Sequence, residues 1–181
     1  MRSDSFFKPA LVRPRKQRFF ATALMVATSL ALLASLPKHA LADQVARSID
    51  VQASPSAVWS MIGPFCAVKD WLPPVGSCVD DGAAKPTRTL VTKDGSATFV
   101  ELQTARNDSE HFYTYVFLSS PLPVTHYTAT VRVAARPAGG STVSWQGTYS
   151  PVQGKEKAAN DALSGIYQSG LDQIAAKFTE R

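Results

Sequence analysis

One amphipathic segment constrains this chain more than anything else in it. Across residues 155–178, Ala159, Leu163, Ile166, Tyr167, Leu171, Ile174 and Phe178 return at three- and four-residue steps and draw a single apolar stripe. A helix of about 24 residues is roughly 36 Å long. The stretch before it, residues 75–150, keeps a period of two, the mark of antiparallel strands. An open antiparallel sheet must cover its apolar face, and one helix of this length can lie across it. A sheet curved strongly around one helix leaves space that the helix alone does not fill. Side chains or a ligand must occupy that space, and a binding cavity is expected on this ground.

The rest of the chain supplies the other elements. Residues 44–52 alternate around Val45, Ile49 and Val51 and read as a first strand. Ser54 and Pro55 supply an N-cap and a first-turn proline for a helix carrying Val58, Trp59, Met61 and Ile62, which Gly63-Pro64 ends. A second helical turn covers residues 65–71 before Pro73-Pro74. Strands follow over 75–80, 87–93, 97–106, 110–118, 125–136 and 142–150. Asp94-Gly95 is expected to make a tight hairpin turn, because both residues tolerate positive φ. Tyr127, Ala129, Val131 and Val133 share one face, as do Val143, Trp145, Gly147 and Tyr149. Gly165 and Gly170 each cost about 1 kcal/mol relative to Ala inside the last helix. They serve close packing or leave space beside the helix, and the pattern leaves both open.

The 181 residues carry a formal charge of +5, which suggests an anionic partner until the charges are located. Seven of the 19 Lys and Arg and one of the 14 acids fall in residues 1–42, leaving 12 bases and 13 acids in residues 43–181. A body near −1 lacks the clustered basic face that nucleic acid requires. Residues 8–18 are basic, residues 19–36 are apolar and uncharged, and Ala40-Leu41-Ala42 follows. That order is a secretory signal peptide over 1–42, cleaved between Ala42 and Asp43. It implies a periplasmic protein with one domain over 43–181. The alternative is an uncleaved anchor, since the apolar run lies at the edge of spanning length.

Cys66 and Cys78 both fall in the exported part. In an oxidising compartment an even count favours a disulfide, worth roughly 2–3 kcal/mol for so short a loop. Two buried free thiols are the plainer alternative. Two Cys without nearby His make too few ligands for a metal. No P-loop, Rossmann glycine pattern, G-x-S-x-G or H-E-x-x-H occurs, so no cofactor and no nucleophile motif are expected.

Five stretches in order carry a resemblance. They are Ser54-Pro55-Ser56-Ala57-Val58-Trp59, Cys66 through Asp70-Trp71-Leu72-Pro73 to Cys78, Ser120-Pro121-Leu122-Pro123-Val124, Val143-Ser144-Trp145-Gln146-Gly147, and Gly165-Ile166-Tyr167 with Gly170-Leu171. Together with the order of elements they resemble the SRPBCC superfamily (START and birch-pollen-allergen-like proteins), its polyketide cyclase/dehydrase-like group, and within it the periplasmic MxaD-like proteins. The resemblance implies an α+β helix-grip fold: a curved antiparallel sheet of about six to seven strands around a long C-terminal helix, with two short helices after the first strand. It also implies a possible partner among secreted quinoprotein (methanol-type) dehydrogenases or their cytochromes. One departure stands out: Leu72 occupies a position where the group often has His, which weakens any mechanism resting on that His.

The residues support binding better than catalysis. Trp71, Tyr115, Tyr127, Trp145, Tyr149 and Tyr167 are amphipathic rings suited to a small hydrophobic molecule with one polar end, and about half of them are expected to touch a cavity. Trp71, beside the prolines and the Cys pair, is the candidate for the entrance. His111 shares a strand face with Tyr113, Tyr115 and Phe117, but the strand is apolar on both faces and either face could point inward. His126, out of phase with Tyr127, is expected to be exposed. Glu101, between Val100 and Leu102, reads as a solvated carboxylate that pairs with Arg88 across adjacent strands, a surface contact worth under about 1 kcal/mol. The leading expectation is a non-enzymatic carrier or sensor of a hydrophobic molecule. An accessory protein of a periplasmic dehydrogenase system and a cyclase- or dehydratase-type enzyme are the alternatives.

Overall fold

The computed structural model describes residues 42–179. The signal segment expected over 1–42 therefore lies, apart from Ala42, outside the described residues. β1 (Asp43–Val51) is followed by α1 (Pro55–Ile62), a 3₁₀ turn (Phe65–Ala67) and α2 (Val68–Trp71). Then come β2 (Val75–Asp80), β3 (Thr87–Thr92), β4 (Thr98–Asn107), β5 (Phe112–Ser119), β6 (Val124–Ala135), β7 (Ser141–Pro151) and α3 (Glu156–Thr179). The strands form one antiparallel sheet in the order β1-β7-β6-β5-β4-β3-β2, with β1 and β2 at its edges. The sheet is curved and α3 lies in its concave side, against β1, β7 and α2: this is the helix-grip fold.

Local chemistry accounts for these elements. The Ala57 amide donates to Ser54 Oγ at 3.4 Å and caps α1, with Pro55 in the first turn. Val58, Trp59 and Ile62 are its buried face. On β6 and β7 the two alternating sets, Tyr127 to Val133 and Val143 to Tyr149, all point into the core. Ala159, Leu163, Tyr167, Leu171 and Ile174 of α3 meet them. The two glycines of α3 differ. A Cβ on Gly170 would lie 3.0–3.1 Å from Leu72, Trp145 and Trp71, so that glycine permits close packing; Gly165 has nothing within 4 Å. Cys66 in the 3₁₀ turn is bonded to Cys78 in β2, with Cα atoms 5.5 Å apart. No helix among the described residues is long and apolar enough to cross a membrane.

Two connections depart from expectation. Only Gly95 takes positive φ between β3 and β4, and the loop runs from Lys93 to Ala97 rather than turning on two residues. Asp94 holds that loop by accepting from the Ser96 amide and both the Thr92 and Ser96 hydroxyls, which bring its carboxyl down to about 2. β5 begins at Phe112 rather than Glu110. Asn107 Oδ1 accepts from the Glu110 amide and the Ser109 hydroxyl, so the turn continues to His111, whose φ is 52°.

Candidate functional site

The inner sheet face and α3 enclose a cavity of about 320 Å³. Five successive strands each place one side chain on its deep wall: Arg88 from β3, Glu101 from β4, Tyr115 from β5, Tyr127 from β6 and Trp145 from β7. Leu163 of α3 and Val68 of α2 close it. Leu90, Phe99 and Phe117 make the middle apolar. Its partly exposed lining residues, among them Pro74, Ala97, Pro121, Leu122 and Ile166, mark the mouth.

Arg88 and Glu101 face each other across β3 and β4, as their expected pairing has it, but they do so inside the protein. Their side chains are 1% and 5% exposed, and Arg88 Nε donates to Glu101 Oε2 at 2.5 Å. The surface contact read from the sequence is corrected on this point. The inner face of β4 is Phe99, Glu101 and Gln103, while Val100 and Leu102 turn outward half-buried. Arg88 Nη1 donates to the Phe65 carbonyl, and its guanidinium lies 3.9 Å from the Phe65 ring centroid and 5.2 Å from that of Tyr115. Burial pushes the Glu101 carboxyl up, and Arg88 draws it partly back. Burial acts the other way on Arg88, but Glu101 together with Tyr113 and Tyr115 outweighs it, so the guanidinium stays charged with its pKa above the ordinary value. Among the described residues, the buried side-chain nitrogens without a hydrogen-bonding partner are Trp71 Nε1 and Gln103 Nε2.

Next to this pair runs a chain of hydroxyls. Trp145 Nε1 donates to Tyr115 Oη at 3.1 Å; Tyr115 and Tyr127 share a hydrogen bond of 3.2 Å; Tyr127 and Tyr167 share one of 2.7 Å. Burial pushes all three phenols above their ordinary range, so they are neutral donors and acceptors. Three phenols bring three protons, and two Tyr–Tyr bonds use two of them. Either oxygen can donate in each of these bonds, so one O–H of the three is left for a further acceptor. Gly147 makes the chain possible, because a Cβ there would overlap the Tyr167 hydroxyl.

Of the seven residues singled out from the sequence, Tyr115, Tyr127 and Trp145 line the cavity. Tyr167 stands one layer behind, stacked on Trp145 with centroids 4.2 Å apart. Trp71 meets Trp145 edge-on at 5.5 Å and is 1% exposed, so it backs the wall and is no entrance. Tyr149 is buried along β7, its hydroxyl accepting from Asn160 at 3.4 Å. His111, in its turn, packs half-buried 5.9 Å from the Trp59 ring and is not part of the strand face of Tyr113, Tyr115 and Phe117, which points inward. His126 is exposed.

Comparison with known proteins follows the same lines. Residues 42–179 match the family model described as polyketide cyclase / dehydrase and lipid transport. No curated protein matches the chain. Among solved structures, XoxI from Bacillus cereus is 33% identical, the match covering 76% of this chain and 96% of that one at a TM-score of 0.71. An uncharacterised protein from Bacillus thuringiensis is 32% identical over 76% of this chain and 100% of that one, also at 0.71. The ZhuI aromatase/cyclase from Streptomyces sp. R1128 is 14% identical over 78% and 96%, with a TM-score of 0.62, and shares the fold.

Proposed function

Because this chain belongs to the polyketide cyclase/dehydrase and lipid transport family, which is of the SRPBCC type, we propose that it binds a small hydrophobic molecule carrying one uncharged polar group, as a carrier or sensor. The observation that carries this reading is an apolar cavity ending on Arg88, Glu101 and Tyr115. Its volume is at the low end of the roughly 300–1,000 Å³ of small-molecule sites. Arg88 is already compensated by Glu101, so a ligand carboxylate would meet a second negative charge at close range. A carbonyl or hydroxyl group instead meets the Tyr115 hydroxyl beside the Arg88–Glu101 pair without that penalty. The Cys66–Cys78 bond and the leader-like residues 1–42 support a periplasmic location. Native mass spectrometry of the exported protein, mixed with a lipophilic cell extract, tests the reading. One retained molecule per chain, released on denaturation, is expected; a bare chain mass throughout would count against it.

Convergence of Arg88, Glu101 and Tyr115 at cavity depth favours a second reading, a cyclase- or dehydratase-type enzyme. It predicts chemical change in the retained molecule, abolished by Tyr115→Phe, where a carrier returns its ligand unaltered. Docking by a secreted dehydrogenase or its cytochrome is supported by exposed Val79 and Leu118 on the outer sheet face, and co-purification from the periplasm tests it.

A further inference from the structure

The disulfide ties the edge of the sheet to the segment that walls the cavity. β2 is an edge strand, and of its six residues only Val75 is buried. Cys78 is half-buried and the other four are exposed. Its one strand neighbour is β3, with Cys78 opposite Leu90 and Asp80 opposite Arg88. The loop that the bond closes, twelve positions from Cys66 to Cys78, carries four cavity-lining residues: Val68, Leu72, Pro74 and Val75. At its other end, Phe65 immediately precedes Cys66, and the Phe65 carbonyl and ring hold the Arg88 guanidinium. One covalent bond thus fastens a wall of the cavity, its edge strand and the support of its buried cation.

We propose that the Cys66–Cys78 disulfide is a redox-sensitive latch on the ligand cavity. Intact, it keeps the loop over the bound molecule; reduced by a dithiol, it frees the loop and the molecule is held less tightly. This rests on the cavity being the ligand site. A thiolate of the dithiol attacks one cysteine sulfur, which breaks the Cys66–Cys78 bond, expels the other cysteine as a thiolate and leaves a mixed disulfide. The second thiol of the dithiol, as thiolate, then attacks the dithiol's own sulfur in that bond and expels the remaining cysteine. Two electrons and two protons pass to Cys66 and Cys78, and the dithiol leaves as its own disulfide. Both cysteines are only half-buried at the sheet edge, within reach of such a reagent. A site that is binding-competent for about a tenth of the time binds about tenfold more weakly. By linkage, bound ligand makes the disulfide harder to reduce by the same factor, about 30 mV for a two-electron couple.

The test is calorimetric titration of the purified protein with α-tetralone, a neutral two-ring ketone, before and after reduction with dithiothreitol, and of the Cys66→Ser/Cys78→Ser variant. Circular dichroism and urea unfolding monitor the fold in each state. The expected result is a folded reduced protein and a folded variant that both bind about tenfold more weakly, with saturating α-tetralone moving the reduction midpoint by about 30 mV toward stronger reductant. Equal affinity in the oxidised and reduced forms overturns the latch and leaves the cavity reading standing. Outright unfolding on reduction also overturns it, since the bond is then a structural staple. Failure of α-tetralone to bind the oxidised protein removes the cavity reading, and the latch with it.

Discussion

Replacing Glu101 by Leu, with Arg88 left in place, would strand a guanidinium whose side chain is 1% exposed. Breaking a buried pair from one side costs about 3–5 kcal/mol, because the surviving charge keeps its desolvation penalty and loses its partner. An exposed pair would cost under about 1 kcal/mol. Removing both charges, as Arg88→Met with Glu101→Leu, behaves differently. Apolar replacement of a buried pair is neutral to stabilising by about 1–4 kcal/mol. Against this, the Phe65 carbonyl loses Arg88 Nη1, a penalty of about 1–3 kcal/mol for a buried unpaired acceptor. The double variant should therefore lie close to wild type, and the single variant about 3–5 kcal/mol below both. Urea unfolding at neutral pH, followed by tryptophan fluorescence with the slope checked for constancy, measures the difference. A Glu101→Leu loss below about 1 kcal/mol, or a double variant as unstable as the single, would refute the reasoning.

Gly147→Ala drives a Cβ into the Tyr167 hydroxyl and should cost about 1–3 kcal/mol in thermal or urea unfolding. Gly165→Ala, with open space around it, should instead stabilise by about 1 kcal/mol. Burial also raises the pKa of Tyr113, Tyr115, Tyr127 and Tyr167, so in the folded state they keep their protons when the unfolded chain, near pH 10, loses them. Their contribution is fully present below pH 10. It falls above pH 10 by about 1.4 kcal/mol per pH unit for each such tyrosine. Phenolate absorbance from these residues should appear together with loss of circular dichroism in one steep alkaline step, and gradual ionisation in a folded protein would contradict their burial.

Much of the fold was legible because its period is clean. The stripe of α3, the alternation of β6 and β7, and the Ser54-Pro55 start of α1 each follow from residue type and spacing alone. The polar end of the cavity was not, because β4 reverses the usual rule. Its outward Val100 and Leu102 are the apolar residues and its inward Glu101 and Gln103 the polar ones, so periodicity read through hydrophobicity points the wrong way. The signal that was present is Phe99, which shares the phase of Glu101, and the opposite charge on Arg88 one strand away. Trp71 looked like an entrance from its prolines; the space that Gly170 leaves draws it into the core instead. The turn that keeps His111 off the strand is held by side-chain hydrogen bonds to Asn107, and these leave no trace in periodicity.

The ligand cavity is tested most directly by titrating isotope-labelled protein with α-tetralone and mapping the amide and methyl shifts by NMR. Saturable shifts should concentrate on Leu90, Phe99, Tyr115 and Leu163, around the space between sheet and α3. No shifts, or shifts confined to the outer sheet face, would contradict a ligand seated there.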